Sequence, residues 1–161
     1  MRELDRITDQ LRRAFYGEAW HGPAVQEVLT GVTSQQAASK VLSSAHTIWE
    51  LVLHIAAWKS IVQARLRGEP AREIRPEEDW PPVGDTGETA WKRALEHLEK
   101  SHKSLVETAS KLDDEKLDQP AAPGASSAYI LLHGVVQHDL YHAGQIALLK
   151  KTFPASPPPA A

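Results

Sequence analysis

At 161 residues with 42% hydrophobic and 24% charged side chains, the chain is long enough for one globular domain with a real core and short for two. A net charge of -3 gives no general attraction for phosphate backbones or acidic lipid surfaces, which argues against nucleic acid as a partner, and the longest apolar runs fall short of the ~18 residues of a membrane span. Without cysteine there is neither disulfide nor thiolate metal site, the reducing cytoplasm is the expected compartment, and any metal must be held by histidine and oxygen donors.

The first segment places Leu4, Ile7, Leu11, Ala14 and Phe15 at three- and four-residue steps among charged neighbours, predicting an amphipathic helix from about Glu3 to Ala19. PAVQEVLTG then suggests a short helix stopped at Gly31, with Thr33 or Ser34 able to cap another turn. HTIWELVLHIAAWKSIVQARLR, residues 46 to 67, holds no Gly or Pro and is apolar nearly all round. It predicts a long helix with Thr47 or a neighbouring Ser as its cap and Gly68 at its end. The following EPAREIRPEEDWPPVGDTGE is rich in proline and predicts a long loop. Thr86 is the expected cap of a third long helix carrying Trp91, Leu98, Leu105 and Val106, and a fourth runs from about Ser127 to Lys151. Strand signals are absent, so the prediction is an all-α four-helix bundle over residues 1–152 with a disordered Pro/Ala tail, 153–161. The two long connections, 22–45 and 68–85, imply crossovers, since an up-down-up-down bundle needs only short loops.

The run HGVVQHDLYHAGQIALL contains three imidazoles and one charged side chain, Asp139, in a segment otherwise fit for burial. On a helical wheel His142 falls about 40 degrees from His138, and both share a face with Leu131, Val135, Ile146 and Leu149. The other side bears Leu132, Val136, Leu140, Ala143 and Ala147, so this helix asks for two apolar partners, its own bundle and an expected second subunit in a homodimer. A histidine pair at i and i+4 presents two nitrogens one turn apart, a recurring metal-ligand spacing, though alone it also fits two hydrogen-bonded core rings. His54 adds a third imidazole on the inward face of the second long helix, with Leu51, Trp58 and Ile61. One divalent ion shared among His54, His138 and His142 would satisfy three buried rings at once.

HTIWELVLHIAAWKS and HGVVQHDLYHAGQIALLKK together resemble the paired signatures of the DinB-like family, bacterial damage-inducible metal-binding four-helix bundles. The resemblance extends from the first helix to Lys151 and places the family's metal triad on His54, His138 and His142, with Gly144, Gln145 and Ile146 following as in the family. It implies a divalent metal site, whose all-nitrogen donors suit zinc or nickel foremost, and it implies the chemistry only loosely, because relatives share fold and triad while differing in reaction, some being metal-dependent transferases using low-molecular-weight thiols such as bacillithiol, mycothiol or glutathione.

Three neutral imidazoles leave an open coordination position, where a metal-dependent thiol S-transferase would ionise its thiol and a hydrolase its water. A noncatalytic metal-binding dimer in stress response is the alternative, and an unliganded helical scaffold a third. Glu50, one turn before His54, is the nearest acidic candidate for a base; Asp139 is placed to orient a ring; Gln145 and Tyr141 flank the inward stripe. None is assigned a catalytic role. Of the other histidines, His133 points to the opposite face, His46 precedes the helix, His21 lies at a turn, and His97 and His102, set among charges, are expected at the surface. The five tryptophans read as core filler, with Trp58 a wall of the metal pocket and Trp80 a lid or an anchor.

Overall fold

The computed structural model describes residues 2–154 and contains seven α-helices and no strand among them. Four helices are long: α1 (Glu3–Tyr16), α4 (Ile48–Leu66), α6 (Glu88–Ser110) and α7 (Ala128–Lys150). Three are short: α2 (Val25–Leu29), α3 (Ser34–Ala38) and α5 (Pro76–Asp79). The first long helix stops before the predicted Ala19, because Gly17 and Glu18 both turn to positive φ.

Caps fix the starts of the site-bearing helices. The Thr47 hydroxyl accepts from the Glu50 amide at 3.1 Å while the Glu50 carboxylate accepts from the Thr47 amide at 2.6 Å, satisfying two of the free donors at the start of α4. The Ser127 hydroxyl accepts from the Ile130 amide at the start of α7. At α6 the cap is Gly87 and makes no side-chain bond, where Thr86 had been expected.

The core is two apolar clusters with a polar layer between them. One gathers Phe15, the first half of α4 (Ile48 to Ala56), Trp91 to Leu98 of α6 and Ala143 to Leu149 of α7. The other gathers Leu4 to Leu11, Val62 and Leu66, Leu105 to Ala109, and Ala128 to Val135. Hence α1 and α7 run in one direction and α4 and α6 in the other, and the 67–87 connection must return along the full length of the bundle. Its route is the predicted crossover. Its middle carries the single turn α5, which proline-rich sequence had not been expected to form; Pro76 at the first helical turn, where no donor is lost, explains why the turn is tolerated. In the layer between the clusters lie His54 and Lys59 of α4, Ser101 and His102 of α6, and Asp139 and His142 of α7, all buried.

Leu132 and Ala143, placed on a face of α7 expected to need a second subunit, are buried within this one chain against α1 and α2. What α7 leaves exposed is a different set, Tyr129, Ile130, Tyr141 and Leu148. Trp49 and Trp91 are core residues as expected, whereas Trp20 is fully exposed. Phe153 packs against the first cluster; the rest of the expected tail, 155–161, lies outside the described residues. Among the described residues no helix is long and apolar enough to cross a membrane.

Candidate metal centre

The three histidines singled out from the sequence meet. His138 Nε2 lies 3.0 Å from His54 Nε2 and 3.1 Å from His142 Nε2, and the three rings form the group of donors positioned to bind a metal ion. Four-coordinate ligands at metal distances of about 2.0–2.1 Å stand roughly 3.3 Å apart; the two separations at His138 are within a few tenths of an ångström of that, and all three donors lie within 4.8 Å of one another.

Proton placement makes the fit chemical as well as geometric. His54 Nδ1 is 2.6 Å from the carbonyl oxygen of Asp79, which only accepts, so Nδ1 carries the hydrogen and Nε2 a lone pair. His142 Nδ1 faces Gln145 Oε1 at 2.7 Å and, donating to that oxygen, takes the same tautomer. His138 Nε2 can donate to one of these nitrogens at most, leaving at least one pair of lone pairs face to face at about 3 Å. Protonating the rings is no remedy. Burial pushes all three down, His138 to about 3 with the neighbouring imidazoles and Lys59 adding to the effect, while hydrogen bonds donated to Asp79 and Gln145 only partly offset burial for His54 and His142. A cation placed among three neutral lone pairs removes the repulsion, and these residues therefore fit a divalent ion.

The crossover supplies the outer support. Trp80 stacks flat on His54 at 3.8 Å between ring centroids, and His46 stacks on the other face of Trp80 at 3.5 Å. Asp79 holds two side chains of α4 at once: its carbonyl accepts from His54 Nδ1, and its carboxylate accepts from Trp58 Nε1 at 2.7 Å. Carbonyl and carboxylate partners of this kind orient metal-binding imidazoles. Trp80 is thus an anchor over His54, and Trp58 walls the cluster with its ring 6.2 Å from that of His138.

Other candidates fall elsewhere. Glu50 is occupied in the α4 capping box; burial resists its ionisation, but the Thr47 bonds with Lys40 and His46 outweigh it and hold its carboxyl below the usual range. Asp139 neither orients a ring nor reaches the surface. It is completely buried and accepts from Lys59 Nζ at 2.5 Å, an ion pair that bridges α4 and α7 beside the triad. Burial pushes Lys59 down and Asp139 up, each held back by the other's charge. Tyr141 is exposed, its ring edge-on to His142. His97 is exposed as expected. His102 is not: it is fully buried, stacked on Phe15 at 3.9 Å, because it continues the Leu98–Leu105 stripe of α6 that its charged neighbours obscure. His133 is half-buried against Tyr129.

Lys59 was overlooked in the sequence. Its signal was available, as the lone charged residue in 51–64 facing the lone charged residue in the histidine run.

A helical bundle whose second and last long helices bring three imidazoles together defines a class of helical proteins with a histidine cluster able to hold a metal ion. The model of the DinB superfamily matches residues 8–146, and the chain belongs to that superfamily. No curated protein and no solved structure matches it.

Proposed function

We propose that this protein binds one divalent ion, zinc or nickel, through His54, His138 and His142, and uses it as a metal-dependent S-transferase for a low-molecular-weight thiol. The observation that carries this reading is the open donor set. Three neutral nitrogens converge, and among the described residues no further histidine or carboxylate joins the group. Closed structural sites take four protein ligands; three leave a position for a reactant. Imidazole suits both zinc and nickel.

A divalent ion held there supplies a Lewis acid that lowers the proton affinity of a thiol placed on it. The chain's own groups do the rest. The Asp79 carbonyl and Gln145 set the tautomers of His54 and His142, so that these two rings offer a lone pair without first losing a proton. Trp80 covers His54 from the crossover side, limiting water at that ligand. The cavity of about 420 Å³ beside His142 is walled mainly by Leu42, Leu51, Leu148 and Leu149, and its polar groups Ser44, His46, Gln145 and Tyr141 offer hydrogen bonds to the body of such a thiol. In the net reaction a C–S bond forms, a bond from carbon to leaving group breaks, the thiol proton is released, and the leaving group departs with the bonding electron pair.

The test is metal analysis of protein purified without a polyhistidine tag, followed by thiol-consumption assays with bacillithiol, mycothiol and glutathione. The reading expects one ion per chain, loss of that stoichiometry in His54→Ala, and metal-dependent conjugation with one of the thiols. Full occupancy without conjugation would leave a noncatalytic metal binder; full occupancy in His54→Ala would remove the ligand set itself.

A further inference from the structure

A second cavity flanks the triad. It measures about 280 Å³ and lies between the second half of α4 and the first half of α7, on the other side of the metal centre from the mixed cavity beside His142. The antiparallel run of the two helices makes this one groove interrupted by the histidines. Trp58, Val62, Leu131 and Val135 form its walls, and His138 borders it where it meets the centre. Its one ionisable wall group besides His138 is Lys59, whose charge is met by Asp139, so the cavity offers no unpaired ion to a ligand.

Gly134 also borders this space. A glycine inside a helix costs about 1 kcal/mol relative to alanine and ordinarily reflects a close approach or a need for room. Close approach is absent, for a Cβ at Gly134 would meet nothing within 4 Å. Room is what remains, and the missing side chain is part of the cavity.

We infer that this cavity is the site of the electrophilic co-substrate, and that this compound is an uncharged alkyl or monocyclic aryl molecule whose reactive carbon faces the His138 end. The inference rests on the transferase reading for its chemistry, though the cavity's preference for neutral apolar ligands stands without it. The volume, close to the lower bound of about 300 Å³ for small-molecule pockets, matches a small alkyl or monocyclic aryl group. The apolar walls select against anions. With benzyl chloride as the model electrophile, the thiol sulfur forms a bond to the benzylic carbon, the C–Cl bond breaks, and chloride leaves with the electron pair while the thiol proton passes to solvent.

The experiment is a ligand-observed NMR titration of the zinc-loaded full chain, and of the metal-free chain, with toluene and with benzoate. Saturable toluene binding is expected in both, with benzoate at least tenfold weaker. Gly134→Phe fills the cavity and is expected to weaken toluene at least tenfold at unchanged zinc stoichiometry; Gly134→Leu serves if the phenylalanine variant is poorly folded, and Gly134→Ala, which leaves most of the space, is expected to retain binding. In turnover, Gly134→Phe is expected to raise the KM for benzyl chloride at least tenfold without changing that for the thiol. Absence of saturable toluene binding, benzoate binding as tightly as toluene, or a filled variant that binds like the wild type would each overturn the inference. Toluene binding lost on filling, but with no conjugation by the wild type, would retain the neutral apolar site and remove the transferase reading.

Discussion

Asp79 reaches His54 through its backbone carbonyl and Trp58 through its carboxylate, so one residue of the crossover sets both the tautomer of a candidate ligand and the position of the indole beside it. Removing the carboxylate should loosen the turn that presents the carbonyl. Asp79→Ala is expected to weaken metal binding by about tenfold, within the range of roughly 10- to 100-fold seen when such supporting groups are lost. Asp79→Asn, which keeps an acceptor for Trp58, should lose less. Competition against a chromogenic chelator measures both, and equal affinities in all three proteins would show that the turn does not support the ligand.

Metal should also stabilise the fold, because the triad joins α4 to α7 and a preformed set of three lone pairs does not exist in the unfolded chain. At a free ion concentration 100 times the dissociation constant the gain is about 2.7 kcal/mol. For a domain of this size that corresponds to a rise in Tm of roughly 5–10 °C. Differential scanning calorimetry with and without chelator tests this. The chelator-sensitive increment should vanish in His142→Ala, and persistence there would mean that the stabilising ion sits elsewhere.

Much of this architecture was legible because it rests on periodicity and punctuation. The spacing of Leu4, Ile7 and Leu11 gave α1, Thr47 marked the start of α4, and the convergence of His54 with His138 and His142 followed from three imidazoles on inward faces. What escaped was whatever depended on a partner distant in sequence. Lys59 and Asp139 read as isolated charges until α4 and α7 are laid side by side. Covering of Leu132 and Ala143 by α1 and α2 cannot be seen from the wheel of α7 alone. The role of the crossover likewise required knowing that α4 and α6 run the same way, which obliges the chain to pass the triad and lay Trp80 on His54.

The Lys59–Asp139 pair leads to a sharper mutational expectation. Each charge is buried, and deleting one leaves the other without its counter-ion, a loss of about 3–5 kcal/mol. Lys59→Met and Asp139→Leu should each be destabilised on that scale in urea unfolding. The double variant is expected to recover most of the loss, since no unpaired charge remains and apolar replacements of similar volume are often neutral. Additive losses in the double variant would show that the two residues act separately.

His102 provides a pH dependence with a definite sign. Burial pushes its pKa down to about 2 from an ordinary value of 6.5, with the charges of Lys59 and Arg12 acting in the same direction, and neither ring nitrogen has a hydrogen-bond partner. The folded protein therefore keeps this ring neutral while the unfolded chain protonates it below pH 6.5. Where the unfolded state binds more protons, stability rises with pH, so this group's contribution is undiminished above 6.5 and is lost progressively as pH falls toward 2. The loss amounts to about 1.4 kcal/mol per pH unit. His102→Leu keeps an apolar side chain on the Leu98–Leu105 stripe and removes the titration. Urea midpoints of the metal-free proteins measured from pH 7 down to about pH 4.5 should thus diverge, the wild type falling more steeply by roughly that slope; the triad and the other histidines cancel in the difference. Parallel curves for the two proteins would mean that His102 takes up a proton in the folded state, and that the layer between the two apolar clusters admits water.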